Sequence, residues 1–208
     1  GSYLEFVDRV LPLYSRIYDG AGMEAAYRWT KVLFAYHQAR ELESIARYVL
    51  EFEQSIALTE GRLPSGQSIR QGIRIYSEVR ELIVALLERG WQVRIITASP
   101  VECIAPVAPQ WGLREEDVIG MRLARDGADR TLPEIVEPMT VGAGKVAALK
   151  AHTDVQPALA MGDSRGDREL LLAAQNAILF DRGDAELADE IRAAGGNVHP
   201  LLPVDSPS

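Results

Sequence analysis

Apolar residues return every three or four positions from residue 3 to about residue 60. Leu4, Val7, Val10, Leu11 and Tyr14 form one series, and Tyr27, Val32, Phe34 and Tyr36 a second. Leu42, Ile45, Val49, Phe52 and Ile56 form a third. That period predicts helices. Gly20-Ala21-Gly22 separates the first helix from the second, and Gly61-Arg62-Leu63-Pro64-Ser65-Gly66 closes the group with turn chemistry. No strand-like alternation interrupts the stretch, so residues 1–74 are expected to form a small all-helical lobe.

From Ile75 the texture changes. Tyr76 to Arg89 carries Val79, Leu82, Ile83, Leu86 and Leu87 on one helical face, with Gly90 as its stop. Trp91 to Thr97 is apolar enough for a buried parallel strand. Ala98-Ser99-Pro100 is expected to turn the chain into a helix over about Val101 to Trp111. A strand over Val118 to Leu123 follows, then a hairpin around Asp126-Gly127 reaching Val136. Next come a helix from Lys145 to about Ala151, a strand at Leu159, a helix from about Asp167 to Ala174 and a strand over Ala177 to Phe180. A last helix covers about Ala185 to Ala194, with an edge strand near Asn197-Val198-His199. Alternation of this kind predicts an α/β core, a Rossmann-like parallel sheet covered by helices, over residues 75–200. Residues 201–208 are expected to be a flexible tail.

The 208 residues suit one α/β domain with a small second lobe. The net charge of -8 argues against nucleic acid as a partner, because phosphate backbones select basic surfaces. No apolar run approaches the length that spans a bilayer, so a membrane is not expected either. The single cysteine, Cys103, excludes an intrachain disulfide and fits a reducing compartment. The expected location is cytoplasmic, although a removed signal segment would leave no trace. Gly1-Ser2 has the composition of an expression-tag remnant, which would put the natural N-terminus out of view.

Chemistry concentrates at strand ends. Met161-Gly162-Asp163-Ser164-Arg165-Gly166-Asp167 leaves a short apolar run and enters a helix. Two aspartates at this spacing, with glycines between, can place carboxylates around a hard cation such as Mg²⁺. Thr97 ends an earlier strand, and Lys145 in Gly142-Ala143-Gly144-Lys145 opens a helix. In a parallel sheet such strand ends lie on one edge. A hydroxyl and backbone N–H groups at Thr97, Ala98 and Ser99 could bind phosphoryl oxygens, Lys145 could neutralise them, and Asp163 with Asp167 could hold Mg²⁺. Each residue also has an ordinary structural role open to it. Thr97 could cap the strand, Ser99 could cap the helix beside Pro100, Lys145 could be a solvated helix lysine, and the aspartates could serve a plain loop.

The chain resembles the haloacid dehalogenase (HAD) superfamily of phosphohydrolases over about residues 75–195. Ile95-Ile96-Thr97-Ala98-Ser99 is similar to its second motif, Lys145 to its third-motif lysine, and Gly162 to Asp167 to its fourth, Mg²⁺-binding motif. With Thr97-Ala98-Ser99-Pro100 and Glu137-Pro138-Met139-Thr140, the resemblance is greatest to the phosphoserine and phosphorylcholine phosphatase branch. It implies a Mg²⁺-dependent hydrolase of a small phosphorylated metabolite, acting through an aspartyl-phosphate, with residues 1–74 as a helical cap. Lys145 and Thr97 would be its catalytic residues.

The family's first motif, a strand ending in Asp-x-Asp, has no counterpart. Asp8 and Asp19 lie in helical or aromatic surroundings and are not nominated as nucleophile. The nucleophile is therefore expected outside these residues, and loss of its strand should leave a gap in the sheet. Two other readings stay open: a non-catalytic phosphate- or Mg²⁺-binding or regulatory module on the same fold, and a flavodoxin-like receiver or nucleotide domain. A nucleotide site would need a Gly-rich first turn, which is absent. Tyr27, Trp29 and Tyr36 with Glu24 could form a cage for a quaternary ammonium, or simply lobe core. His37, His152 and His199 follow no metal-ligand spacing, and Glu134 and Glu137 flank prolines near the lysine loop. The oligomeric state is not legible.

Overall fold

The structure, a computed structural model, describes residues 3–201. The flexible-tail expectation falls almost wholly outside them. The chain divides into two compact units. One comprises the described residues up to Ile75 together with Leu123–Ile135, and the other Tyr76–Arg122 with the described residues from Val136 on.

In the first unit, α1 (Tyr3–Thr30) is two helices joined at Gly22, whose backbone leaves helical geometry at φ 86°. A 3-10 turn, Lys31–Phe34, leads towards α2 (Ala39–Ser55). The helix start is closed by the Glu41 carboxylate, which accepts from Gln38 N at 2.8 Å. The lobe is not all-helical. β1 (Thr59–Arg62) and β2 (Ser68–Gln71) form an antiparallel hairpin. Their sequences, Thr-Glu-Gly-Arg and Ser-Ile-Arg-Gln, hold one apolar residue between them, so no alternation announces the pairing. Backbone bonds and the turn closed by Gly66 N donating to Leu63 O at 2.8 Å hold it instead.

The core of this unit is small: Ala26, Ala35, Leu42, Leu50, Leu63 and Leu123. Thr131 is fully buried and donates to the carbonyls of Phe34 at 2.5 Å and His37 at 3.0 Å. The Tyr27 ring carries the Lys31 ammonium 5.9 Å from its centroid, and Glu24 pairs with Arg28 at 2.9 Å. Tyr27 and Glu24, two residues of the candidate cage, thus each have a cationic partner within the lobe.

The second unit opens with α3 (Ser77–Glu88) and then β3 (Ile95–Pro100). This strand begins four residues later than expected and continues through the anticipated turn. Its ladder to β4 (Val118–Arg125) starts only at Ile95↔Val118, so Trp91 to Arg94 have no strand to pair with. The helix expected to reach Trp111 is α-helical only over α4 (Val101–Ile104) and continues as a 3-10 helix, Ala105–Trp111. Pro106 and Pro109 lack the N–H that α-helical bonding needs.

β4 pairs on its other side with β5 (Thr131–Val136), giving the order β3-β4-β5. After α5 (Ala143–Lys150), β6 (Ala160–Gly162), α6 (Arg168–Ala173), β7 (Ala177–Asp181), α7 (Ala185–Ala193) and β8 (Asn197–Pro200) complete a second parallel group in the order β6-β7-β8.

The two groups are not hydrogen-bonded to each other, yet one core joins them. Ile96 and Ile119 from the first pack with Ala160 and Leu179 from the second, under Leu149, Leu171, Leu187 and Ile191. Leu179 is 1% exposed at the centre. Leu179→Ala is expected to cost about 2–5 kcal/mol, read as a shift of the urea midpoint at constant slope. Among the described residues no helix is long and apolar enough to cross a membrane.

Candidate functional site

Three stretches of the second unit converge at the carboxyl ends of β3 and β6. At the first, Thr97 Oγ1 accepts from Ser99 N at 3.1 Å, with Ala98 between them. The strand end is then anchored from the side. Thr140, 1% exposed, donates its hydroxyl to Thr97 O at 2.5 Å, and Lys145 Nζ donates to Ile96 O at 3.0 Å.

The second stretch is the turn before α5. Gly144 sits so close to the preceding backbone that a Cβ there would fall 1.7 Å from Met139 O. Only glycine lets the helix start here, which brings Lys145 inward. Lys145 is 7% exposed and meets Asp167, 8% exposed, at 2.5 Å. Gly142 N donates to Gly166 O at 3.0 Å, tying this turn to the third stretch.

That third stretch folds back on itself. Asp167 Oδ2 accepts from Asp163 N and Ser164 N, both at 3.2 Å, and from Ser164 Oγ at 2.9 Å. Gly162 makes room for this, since a Cβ there would lie 2.5 Å from that of Asp167. Both Asp167 oxygens are thus engaged by the protein. Asp163 differs: its side chain is half-exposed, and Oδ2 accepts from Arg182 Nη1 at 3.1 Å.

Lys145 and Asp167 are therefore directly paired, and Thr97 is tied to them through its neighbours, Ile96 in β3 and Thr140 in the turn before α5. Asp163 joins them through its backbone N–H, while its carboxylate points to the turn after β7. The described residues contain no group of three His, Cys, Asp or Glu placed to hold a metal. A hard cation is still compatible with the donor set, because Mg²⁺ is often held by one or two carboxylates and keeps several waters. Asp163 keeps one oxygen without a protein partner, whereas both Asp167 oxygens already accept from the lysine or the loop. Of the three ammonium N–H groups of Lys145, two are occupied, leaving one donor for a ligand.

Behind the loop, Arg165 pairs with Asp184 and Glu186, and Arg168 with Glu190 and Glu169. The Arg168 hydrogen bonds hold the Glu190 carboxyl below its ordinary range, and the Leu187 N–H does the same for Asp184 at the start of α7. Two residues important here carried no assigned role from sequence. Thr140 was visible only as the last residue of Glu137-Pro138-Met139-Thr140, and Arg182 as one more surface arginine. Nothing local to either marks its partner, which is brought in from another strand.

A family model described as haloacid dehalogenase-like hydrolase matches residues 10–172. No curated protein matches the sequence. A solved protein of Anaerococcus prevotii DSM 20548, described as conserved and functionally unknown, is similar with TM-score 0.70 and 21% identity over 77% of this chain. This chain spans about half of that relative, 48% of its length. A phosphoserine phosphohydrolase-like protein of Francisella tularensis subsp. tularensis SCHU S4 is similar with TM-score 0.57 and 14% identity, over 95% of this chain and 84% of its own. At these identities the two structures support the fold, and the family model covers most of the sequence. The chain belongs to the haloacid dehalogenase-like hydrolase family.

Proposed function

We propose that this chain supplies the phosphate- and Mg²⁺-binding core of a phosphomonoester hydrolase acting on a small phosphorylated metabolite. The observation that carries the reading is the buried Lys145 ammonium, fixed between a β3 carbonyl and Asp167 at the strand-end edge with one donor to spare. A phosphoryl oxygen would take that donor, with the Thr97 hydroxyl and the N–H groups near Ala98 and Ser99 on its other oxygens. Asp163 would hold Mg²⁺, which when bound neutralises charge on the phosphoryl group. Asp167 would orient Lys145 and the Asp163 backbone rather than ligate.

The nucleophilic aspartate would come from a strand outside residues 1–208. Two features are in keeping with this: no Asp-x-Asp ends a strand in the sequence, and β3 and β6 are not hydrogen-bonded to each other across a shared core. Residues 1–74 would act as the cap that shields the reaction from water. The printed description of the Francisella neighbour as phosphoserine phosphohydrolase-like favours a phosphomonoester, and a cytoplasmic location fits the single free cysteine.

Asp163→Asn is expected to abolish Mg²⁺ binding, measured by calorimetric titration. Folding stability should change by less than about 1 kcal/mol, because the carboxylate is half-exposed. Undiminished Mg²⁺ binding would sink the metal assignment. The lack of a nucleophile favours a second reading, a binding module without turnover. The natural full-length protein separates the two: Mg²⁺-dependent phosphate release from small phosphomonoesters supports the hydrolase, while phosphate and Mg²⁺ binding without release supports the module.

A further inference from the structure

The turn after β7 brings a cation onto the Asp163 carboxylate. Asp181 Oδ1 accepts from Gly183 N at 2.8 Å and Asp184 N at 3.1 Å, which pins the turn Asp181 to Asp184. β6 and β7 are parallel, with Gly162 opposite Leu179, so Asp163 and this turn leave the sheet on the same edge. From there Arg182 reaches Asp163 Oδ2 at 3.1 Å. Among the described residues no other cation meets Asp163, whose second oxygen, Oδ1, takes no protein partner. The neighbouring acids are differently engaged: Asp184 by Arg165, Asp167 by Lys145, and Asp181 by its own turn.

We propose that Arg182 is a built-in competitor for Mg²⁺ at Asp163, a tethered cation that occupies the metal's carboxylate and sets how tightly the site binds. The inference rests on the proposed function, which assigns Mg²⁺ to Asp163. A divalent ion approaching that carboxylate must displace the guanidinium or share the carboxylate with it. Sharing places two cations about one carboxylate width apart, where like charges repel. Either way the arginine weakens the metal site. Both side chains are partly solvated, with 58% and 44% of their surfaces exposed, so the effect is modest rather than large. Displacement also frees a guanidinium at the phosphate edge, where it becomes a donor for an anionic ligand.

The test is calorimetric titration of the 208-residue chain with MgCl₂ alone, which reads binding and needs no turnover. Arg182→Gln is expected to tighten Mg²⁺ binding about two- to five-fold, the range that corresponds to an exposed ion pair. Arg182→Lys, which keeps the charge, should stay nearer the wild-type affinity. Thermal melting without metal confirms that each variant is folded, and the lysine variant carries the comparison if the glutamine variant is not. In that case lysine should bind Mg²⁺ modestly more tightly than arginine, because it loses the planar fork. Unchanged or weaker binding in Arg182→Gln, or in Arg182→Lys where the glutamine variant is unfolded, with Asp163→Asn abolishing it, overturns the competitor role and leaves the proposed function standing. Mg²⁺ binding that survives Asp163→Asn, or is absent from wild type and Arg182 variants alike, overturns the metal assignment and this inference with it.

Discussion

Lys145→Met is expected to lower stability by about 3–5 kcal/mol, the cost of leaving one partner of a buried ion pair unmatched. Methionine keeps the length and the apolar stem but removes all three N–H donors. Asp167, 8% exposed, then holds a carboxylate whose Oδ1 has lost its only cation, and Ile96 O loses its donor as well. The same ammonium ties the end of β3 to the loop after β6, so the loss falls on the junction of the two strand groups. Urea denaturation reads the stability change. On the proposed function, calorimetric titration with orthophosphate at low temperature should also show binding lost in molecules that remain folded. A destabilisation under about 1 kcal/mol would mean that water screens the pair despite its burial.

What the sequence made legible was what depends on neighbours along the chain. The α/β order, the helix over Tyr76 to Arg89 and the strands near Val118, Ala177 and Asn197 all follow from local periodicity, and they stand close to where the structure has them. Thr97, Lys145 and Asp167 could be singled out because glycines or apolar runs bracket them, and the structure places all three at the ends of β3 and β6 and the turn between. What failed was non-local. The β1–β2 hairpin has almost no apolar signal and exists through backbone pairing. The start of β3 is set by where Val118 lies across from it, which Trp91 to Arg94 do not encode.

The face of α2 made by Ile45, Tyr48, Val49 and Phe52 has full helical periodicity, yet all four residues are exposed in this chain. Periodicity thus predicts a helix without deciding what covers it. The different hydrogen-bond partners of Asp163 and Asp167 were likewise beyond spacing alone. Both stand at positions that suit a cation, and only the folding back of Asp167 onto Ser164 and Lys145 separates them.

That separation yields a contrast between two nearly isosteric changes. Asp167→Asn keeps the shape and one carbonyl oxygen, so it can still accept from Ser164 and the nearby backbone N–H groups. It cannot do so and also receive the ammonium, because its remaining group is an NH₂ facing Lys145. The buried lysine is left with Ile96 O alone, and about 3–5 kcal/mol of stability is expected to go. Asp163→Asn, on a half-exposed side chain, should cost little. Metal binding should follow the opposite order. Below its lowered melting point Asp167→Asn is expected to retain Mg²⁺ binding at Asp163, while Asp163→Asn is stable and loses it. The double variant Lys145→Met/Asp167→Asn should cost clearly less than the sum of the two single changes, because each removes the charge that the other leaves stranded. Urea denaturation of the four proteins gives this coupling directly. Additive losses would mean that Lys145 and Asp167 act independently, and the shared anchor proposed for the phosphate site would fall with that result.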